Sequence, residues 1–204
     1  KLSGDMMYEL YYSFASMYAE KVLGEYFYLN NQLDQLYRKY MRGIREMYND
    51  KPVYPDANFT MRLTYGQANG YKPKDGVYYD YYTTLSGKVD KFHLDYEDYA
   101  LPEKLLDLYI NEDYGPYADE NGNLRVCFIA TNHTSGGNSG SPVMNANGEL
   151  IGLNFDRSWE GTMSDLYYDP SICRNISVDI RYVLFIIEKY AGAGYLLDEM
   201  KIIR

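Results

Sequence analysis

This chain has almost nothing with which to cross-link itself. Two cysteines in 204 residues are too few for a disulfide framework. Cys127 lies in the apolar run Val126-Cys127-Phe128-Ile129-Ala130 and reads as a buried thiol, while a single bridge to Cys173 stays open. Histidine is as scarce, with only His93 and His133, and no cluster has metal-ligand spacing. No metal and no cofactor is expected. Basic residues are outnumbered by acidic ones, 20 to 29, giving a formal net charge of −9. Phosphate binding wants a basic face, so the charge argues against a nucleic-acid partner. No apolar run is long enough to span a bilayer, and no membrane partner is expected. The chain opens Lys1-Leu2-Ser3-Gly4 with neither initiator Met nor signal peptide, as an excised piece would. Its length allows one good core and a helical appendage.

Tyrosine, by contrast, is abundant: 26 residues, many within the first quarter. There Met7, Leu10, Tyr11, Phe14, Met17 and Tyr18 recur at spacings of three and four, and Leu29, Leu33, Leu36, Tyr37, Tyr40, Met41 and Ile44 form a second set. The spacing predicts two helices broken near Gly24 and packed antiparallel, their stripe serving as core. Cut from neighbours, such helices would expose apolar surface, which predicts self-association as a homodimer. Lys51-Pro52-Val53-Tyr54-Pro55-Asp56 is the best boundary, because proline disfavours helix in the residue before it. The expected division is 1–50, helical, and 51–204, strand-rich.

Beyond the boundary, Phe59, Met61, Leu63 and Tyr65 alternate with polar residues, the pattern of a half-buried strand. Gly76 to Leu85 supplies another strand and Pro102 to Ile110 a short helix. Asp119-Glu120-Asn121-Gly122 turns into a strand from Leu124 to Thr131. Arg174 to Val178 gives a late strand, and Asp179 caps a helix with Ile180, Val183, Leu184 and Ile187 on one face. The expected fold class is mixed and mainly β.

The segment Thr134-Ser135-Gly136-Gly137-Asn138-Ser139-Gly140-Ser141-Pro142-Val143 carries the chemistry. Glycines on both sides of Ser139 permit a tight turn with φ > 0. Such a turn can expose the Ser139 hydroxyl and aim the N–H groups of Gly137 and Ser139 at one point, where an oxyanion would sit. Two readings fit: a serine nucleophile loop, or a glycine-rich hairpin loop. Downstream, Asn147-Gly148 divides Val143-Met144-Asn145-Ala146 from Glu149 to Asp156, a hairpin signal in which both turn positions are expected at φ > 0. The return strand carries Asn154, Phe155, Asp156 and Arg157 past Ser139.

Ser135 to Arg157, then Trp159-Glu160-Gly161, then Ile176-Ser177-Val178-Asp179-Ile180-Arg181-Tyr182-Val183-Leu184-Phe185-Ile186-Ile187 leading to Ala191-Gly192-Ala193-Gly194, resembles the bacterial dipeptidyl-peptidase family of serine peptidases. The resemblance extends upstream through Asn58 to Gly66 and Gly76 to Tyr79, roughly the last three quarters of the chain. The nucleophile loop alone is shared with glutamyl endopeptidases; Ser177-Val178-Asp179-Ile180-Arg181-Tyr182-Val183 is more particular to the dipeptidyl peptidases. The resemblance implies a C-terminal chymotrypsin-like β-barrel half with a terminal helix, preceded by the last two helices of a cap domain. It implies Ser139 as nucleophile, Gly137 as an oxyanion-hole donor, and a substrate pocket walled by Asn154 and Phe155. Arg157 would receive an Asp or Glu side chain before the scissile bond, since a guanidinium presents a rigid fork matched to a carboxylate. Asp156 would meet the α-ammonium of a free N-terminus.

A serine hydroxyl needs a base held by a carboxylate. His133 lies six positions before Ser139 and reads as a structural, hydrogen-bonded residue; His93 sits in a polar stretch and reads as a loop residue. The resemblance places the base and its acid in an N-terminal part absent here. The chain alone is therefore expected to be an inactive C-terminal piece whose partners are that missing part and peptides with a free N-terminus. The resemblance also implies a periplasmic or cell-surface setting in a Gram-negative bacterium. A glutamyl endopeptidase and a non-catalytic peptide-binding module are the competing functions.

Overall fold

The computed structural model describes residues 4–50, 53, 60–92 and 96–203. The chain divides into two units, Lys1–Pro55 and Asp56–Arg204. Most of the proline-bearing stretch expected at the boundary, and His93, Asn58 and Phe59 with it, lie outside the described residues.

Among the described residues the first unit holds one long helix, which corrects the expected hairpin. Helix α1 (Met6–Tyr18) runs through a π-helical turn (Ala19–Leu23) straight into α2 (Gly24–Met47). Asp5 caps its start, its carboxylate accepting from the N–H of Met7 and Tyr8 at 2.9 and 3.1 Å. Gly24 keeps helical dihedrals, φ −60° and ψ −49°. A lone glycine costs only about 1 kcal/mol relative to alanine, and no proline or asparagine beside it ends the helix. The π turn absorbs one surplus residue instead of breaking the rod. None of the helix residues is buried. The apolar stripe expected as core is therefore exposed, with Leu10, Phe14, Leu33 and Leu36 all about half-accessible.

In the second unit a two-stranded ribbon, β1 (Tyr71–Lys74) with β2 (Val77–Tyr79), precedes a five-stranded antiparallel sheet. That sheet runs in the order β3 (Tyr82–Thr84), β4 (Arg125–Ala130), β7 (Asn175–Asp179), β6 (Leu150–Arg157), β5 (Pro142–Met144). No ladder joins β3 to β5 among the described residues, so the expected β-barrel half is present here as an open sheet. The mixed class holds, but helix outweighs strand because the N-terminal rod is long and the strands have three to eight residues. The strand expected around Met61, Leu63 and Tyr65 does not form. Those side chains are exposed because no described strand lies alongside to pair with them.

The core sits where helices α3 (Leu85–Phe92), α4 (Glu103–Ile110) and α5 (Ile180–Phe185) meet the sheet. Leu85, Leu105, Leu124 and Phe185 pack there with Tyr114 and Tyr117, each apolar side chain contributing about 1.5–3 kcal/mol of transfer free energy. Asp179 caps α5 as expected, accepting from Arg181 N at 2.9 Å. Gly152 keeps β6 close to its neighbours: a Cβ there would stand 2.6 Å from Val178 O and 2.7 Å from the Phe128 ring.

The β5–β6 turn departs from the expected form. Gly148 has φ 79°, whereas Asn147 does not enter the left-handed region. Asn145 N donates to Glu149 O and Gly148 N to Asn145 O, both at 3.0 Å, so Ala146, Asn147 and Gly148 make a three-residue loop ending in a glycine bulge. The Asn145 side chain stabilises it by accepting from Asn147 N and Glu149 N at 2.9 and 3.0 Å. Both cysteines are free, and burial together with the Asp179 charge pushes the Cys127 thiol up to about 11.

Candidate active site

The loop between β4 and β5 holds itself together with short-range bonds. Ser135 N donates to Asn138 Oδ1 at 2.8 Å, Asn138 N to Ser135 O at 3.2 Å, and Ser141 N to Asn138 O at 3.0 Å. Gly137 and Gly140 sit at φ 96° and 83°, a region that a residue with a Cβ resists. These two glycines flank Asn138 and Ser139, so the turn that presents the serine depends on them.

Asn154 fastens this loop to the sheet. Its N–H donates to Ser141 O (2.9 Å) and its carbonyl accepts from Gly140 N (2.7 Å), which extends the β5–β6 ladder into the loop. Its Nδ2 donates to Asn138 O at 3.2 Å, and its Oδ1 accepts from Asn175 Nδ2 on β7 at 3.0 Å. Asn154 is only 5 % exposed. Both ends of the Asn154 amide are engaged inside the protein, where it props the loop beside the pocket it was expected to wall. Asn154→Ala leaves the buried Asn175 Nδ2 without its acceptor and removes one of the two bonds to Asn138 O, an expected loss of about 1–3 kcal/mol. Urea denaturation of the chain measures that loss, and amide hydrogen exchange should quicken first at residues 136–141.

Ser139 is exposed, and its Oγ donates to Phe155 O at 3.2 Å. The β6–β7 register slips between Asn154 and Asp156, so a bulge lies beside the serine. The Phe155 ring faces solvent at 47 % exposure and is free to touch a ligand. Among the described residues the N–H groups of Ser135, Asn138, Gly140 and Ser141 are engaged, while those of Gly136, Gly137 and Ser139 have no acceptor. Free amides beside an exposed hydroxyl are what an oxyanion hole requires.

His133 does not serve this hydroxyl. Its Nε2 lies 3.1 Å from Ser164 O, an atom that can only accept, so Nε2 carries the proton there. Its ring leans on Tyr168, centroids 4.8 Å apart.

Arg157 ends β6, two residues beyond the carbonyl that holds Ser139. Its guanidinium meets a 3₁₀ segment, Trp159–Asp165, that folds back over it. Nη1 donates to Ser164 Oγ and Asp165 Oδ1, both at 2.8 Å, and Nη2 donates to Asp165 Oδ2 at 2.7 Å. That fork holds the Asp165 carboxyl below the usual carboxylate range and raises Arg157 further. A depressed acid stabilises the fold fully above its unfolded pKa and loses that contribution only as pH falls through the lowered value, so the pair stays intact at neutral pH. Asp156 is exposed, with Oδ1 accepting from Arg157 N at 2.8 Å and Oδ2 without a partner among the described residues. Ser164 and Asp165 were not anticipated from the sequence: they follow Arg157 by seven and eight positions, and no strand or helix period links them. A cavity of about 1000 Å³ elsewhere in the unit is lined by Tyr82, Arg125, Phe128 and Asp179, and none of the candidate residues borders it.

The chain is 52 % identical over 203 residues to the Asp/Glu-specific dipeptidyl-peptidase of Flavobacterium psychrophilum, covering all of this chain and 28 % of that protein. It is 52 % identical over 171 residues to dipeptidyl-peptidase 7 of Phocaeicola vulgatus, covering 84 % of this chain and 24 % of that one. Among solved structures it is similar to Porphyromonas endodontalis DPP11 in complex with the dipeptide Arg-Asp, at a TM-score of 0.76 and 49 % identity. That match covers 80 % of this chain and 24 % of the other. The chain thus spans about a quarter of the length of the curated relatives it matches. The family model for peptidase S46 matches residues 1–202, and with that extent of agreement the chain belongs to the peptidase S46 family.

Proposed function

We propose that this chain supplies the nucleophile, oxyanion donors and acid-binding pocket of a serine-type, chymotrypsin-like exopeptidase that releases dipeptides from free N-termini, with Asp or Glu before the scissile bond. The observation that carries the reading is the exposed Ser139 hydroxyl, on a glycine-flanked loop fastened to the strand that ends in Arg157. In this reading Ser139 Oγ attacks the scissile carbonyl and the N–H groups of Gly137 and Ser139 hold the oxyanion. The proton passes to a histidine base supplied from outside the chain, because His133 is bound to Ser164 O. The chain by itself is accordingly inactive.

Overall identity does not choose the specificity, since relatives named Asp/Glu-specific and a relative named dipeptidyl-peptidase 7 are equally similar. Arg157 does, as a permanent cation in an acidic chain. A solved relative bound to Arg-Asp supports an acidic residue at that position. Asp156, exposed beside Arg157, receives the α-ammonium of the substrate. The reading carries with it a periplasmic or cell-surface setting, and it assigns the exposed stripe of the N-terminal helix to association.

The test uses a full-length family member carrying this chain as its matched segment. Dipeptide substrates ending in Asp should lose kcat/KM by about a hundredfold or more when the amine is acetylated, because the charge pair with Asp156 is broken. Equal rates on acetylated and free-amine substrates would point to an endopeptidase instead.

A further inference from the structure

Arg157 carries five N–H donors in a planar fork. Three are accounted for: both Nη1 hydrogens by Ser164 Oγ and Asp165 Oδ1, and one Nη2 hydrogen by Asp165 Oδ2. The other two, Nε–H and the second Nη2–H, point the same way along the side edge of the guanidinium. Among the described residues nothing accepts from them. A side edge of this kind is itself a two-toothed match for a carboxylate.

The partners of the three engaged donors are fixed in place. Ser164 is buried, its carbonyl is held by His133 Nε2 at 3.1 Å, and Asp165 follows it directly in the chain. The segment that bears them is anchored where Ser158 N donates to Arg174 O (2.8 Å) and Gly161 N to Ser158 O (2.9 Å). The backbone of Asp165 is therefore held beside Arg157, and its half-exposed carboxylate reaches the guanidinium from that fixed position.

We propose that Asp165, with Ser164, is a specificity-determining positioning residue: it clamps the outer end of Arg157 so that the free side edge faces the acidic side chain of the substrate. The inference rests on the reading of Arg157 given under Proposed function. The clamp has two consequences. An arginine already immobilised loses less rotamer freedom when the substrate arrives. A guanidinium already neutralised by one carboxylate holds a second one mainly through its two directed hydrogen bonds, so geometry counts for more than bare charge. Binding is thereby moderate, which lets an acidic dipeptide product leave.

The experiment compares wild type with Asp165→Asn and Asp165→Ala in a full-length family member carrying this chain, on free-amine dipeptide substrates ending in Asp or in uncharged Asn. KM for the Asp substrate should rise about tenfold or more, with kcat changed less than about threefold and residual turnover of the Asn substrate unaltered. A fall in KM would show that Asp165 competes with the substrate, and an unchanged KM that it does nothing; either overturns the clamp. Equal losses on both substrates with a lowered Tm would also overturn it, leaving a purely structural residue. A wild-type enzyme without preference for Asp over Asn would defeat the reading of Arg157 itself. Retained preference with an unmoved KM in Asp165→Asn defeats the clamp alone.

Discussion

Ser139→Ala, placed in a full-length family member that carries this chain, is expected to lower kcat by about 10⁴-fold or more while leaving the fold intact. The two halves of that expectation have separate physical grounds. The hydroxyl makes one hydrogen bond, to Phe155 O, in an exposed position. Removing it deletes one water-accessible hydrogen bond, worth about 0.5–1.5 kcal/mol at most. The loop keeps its glycine turns and its bonds to Asn154, so the free amides of Gly137 and Ser139 stay where they are. What is lost is the attacking atom, and only the slower attack of water remains. Steady-state kinetics on an acidic dipeptide substrate measures the loss, a fluorophosphonate probe shows whether the labelled serine disappears, and a thermal melt checks the fold. Retention of more than about 1 % of activity would remove Ser139 from the chemistry. A peptide-binding module would then account for the same exposed loop.

The parts of this site that lie close together in sequence were readable from it, and the parts brought together by the chain's return were not. Ser139 and its glycines stand within a few residues, and their type alone dictates a tight, exposed turn. The strand carrying Asp156 and Arg157 follows from two apolar runs around Asn147-Gly148, although the turn between them uses one left-handed residue, not two. Asn154 was placed correctly on that strand, but its bonds to Asn138 and Asn175 had no signal in the sequence. Alternation along a strand says which residues share a face, and the slip in register beside Phe155 breaks that count. Asp165 had no local signal at all, because its meeting with Arg157 depends on a 3₁₀ segment doubling back. The N-terminal helix failed for a different reason. Period tells which face is apolar, not what covers it, and a solitary Gly24 does not stop a helix that has every other reason to continue.

Arg157→Gly should reverse the preference at this pocket, and the pairing with Asp165 makes the reversal sharper than the loss of one cation. In the wild-type chain the guanidinium and the Asp165 carboxylate neutralise each other. Removing the arginine leaves that carboxylate half-exposed and unopposed at the pocket wall, so attraction for a substrate acid is replaced by repulsion. Turnover of Asp and Glu substrates should fall on the order of 10³-fold, as in sites that lose a buried polar match. Apolar substrates should be spared or gain, but only in part, because the stranded charge also disfavours an apolar side chain. The double variant Arg157→Gly with Asp165→Asn removes that charge and should raise apolar turnover above the single variant. The two substitutions are then non-additive, as expected for groups in direct contact. The measurement, in a full-length family member carrying this chain, is kcat/KM on matched free-amine dipeptides ending in Asp, Glu, Leu and Phe for all four members of the cycle. A single variant that still favours the acidic pair would transfer the specificity to some other group. Strict additivity across the cycle would mean that Asp165 and Arg157 do not act on the substrate as one unit.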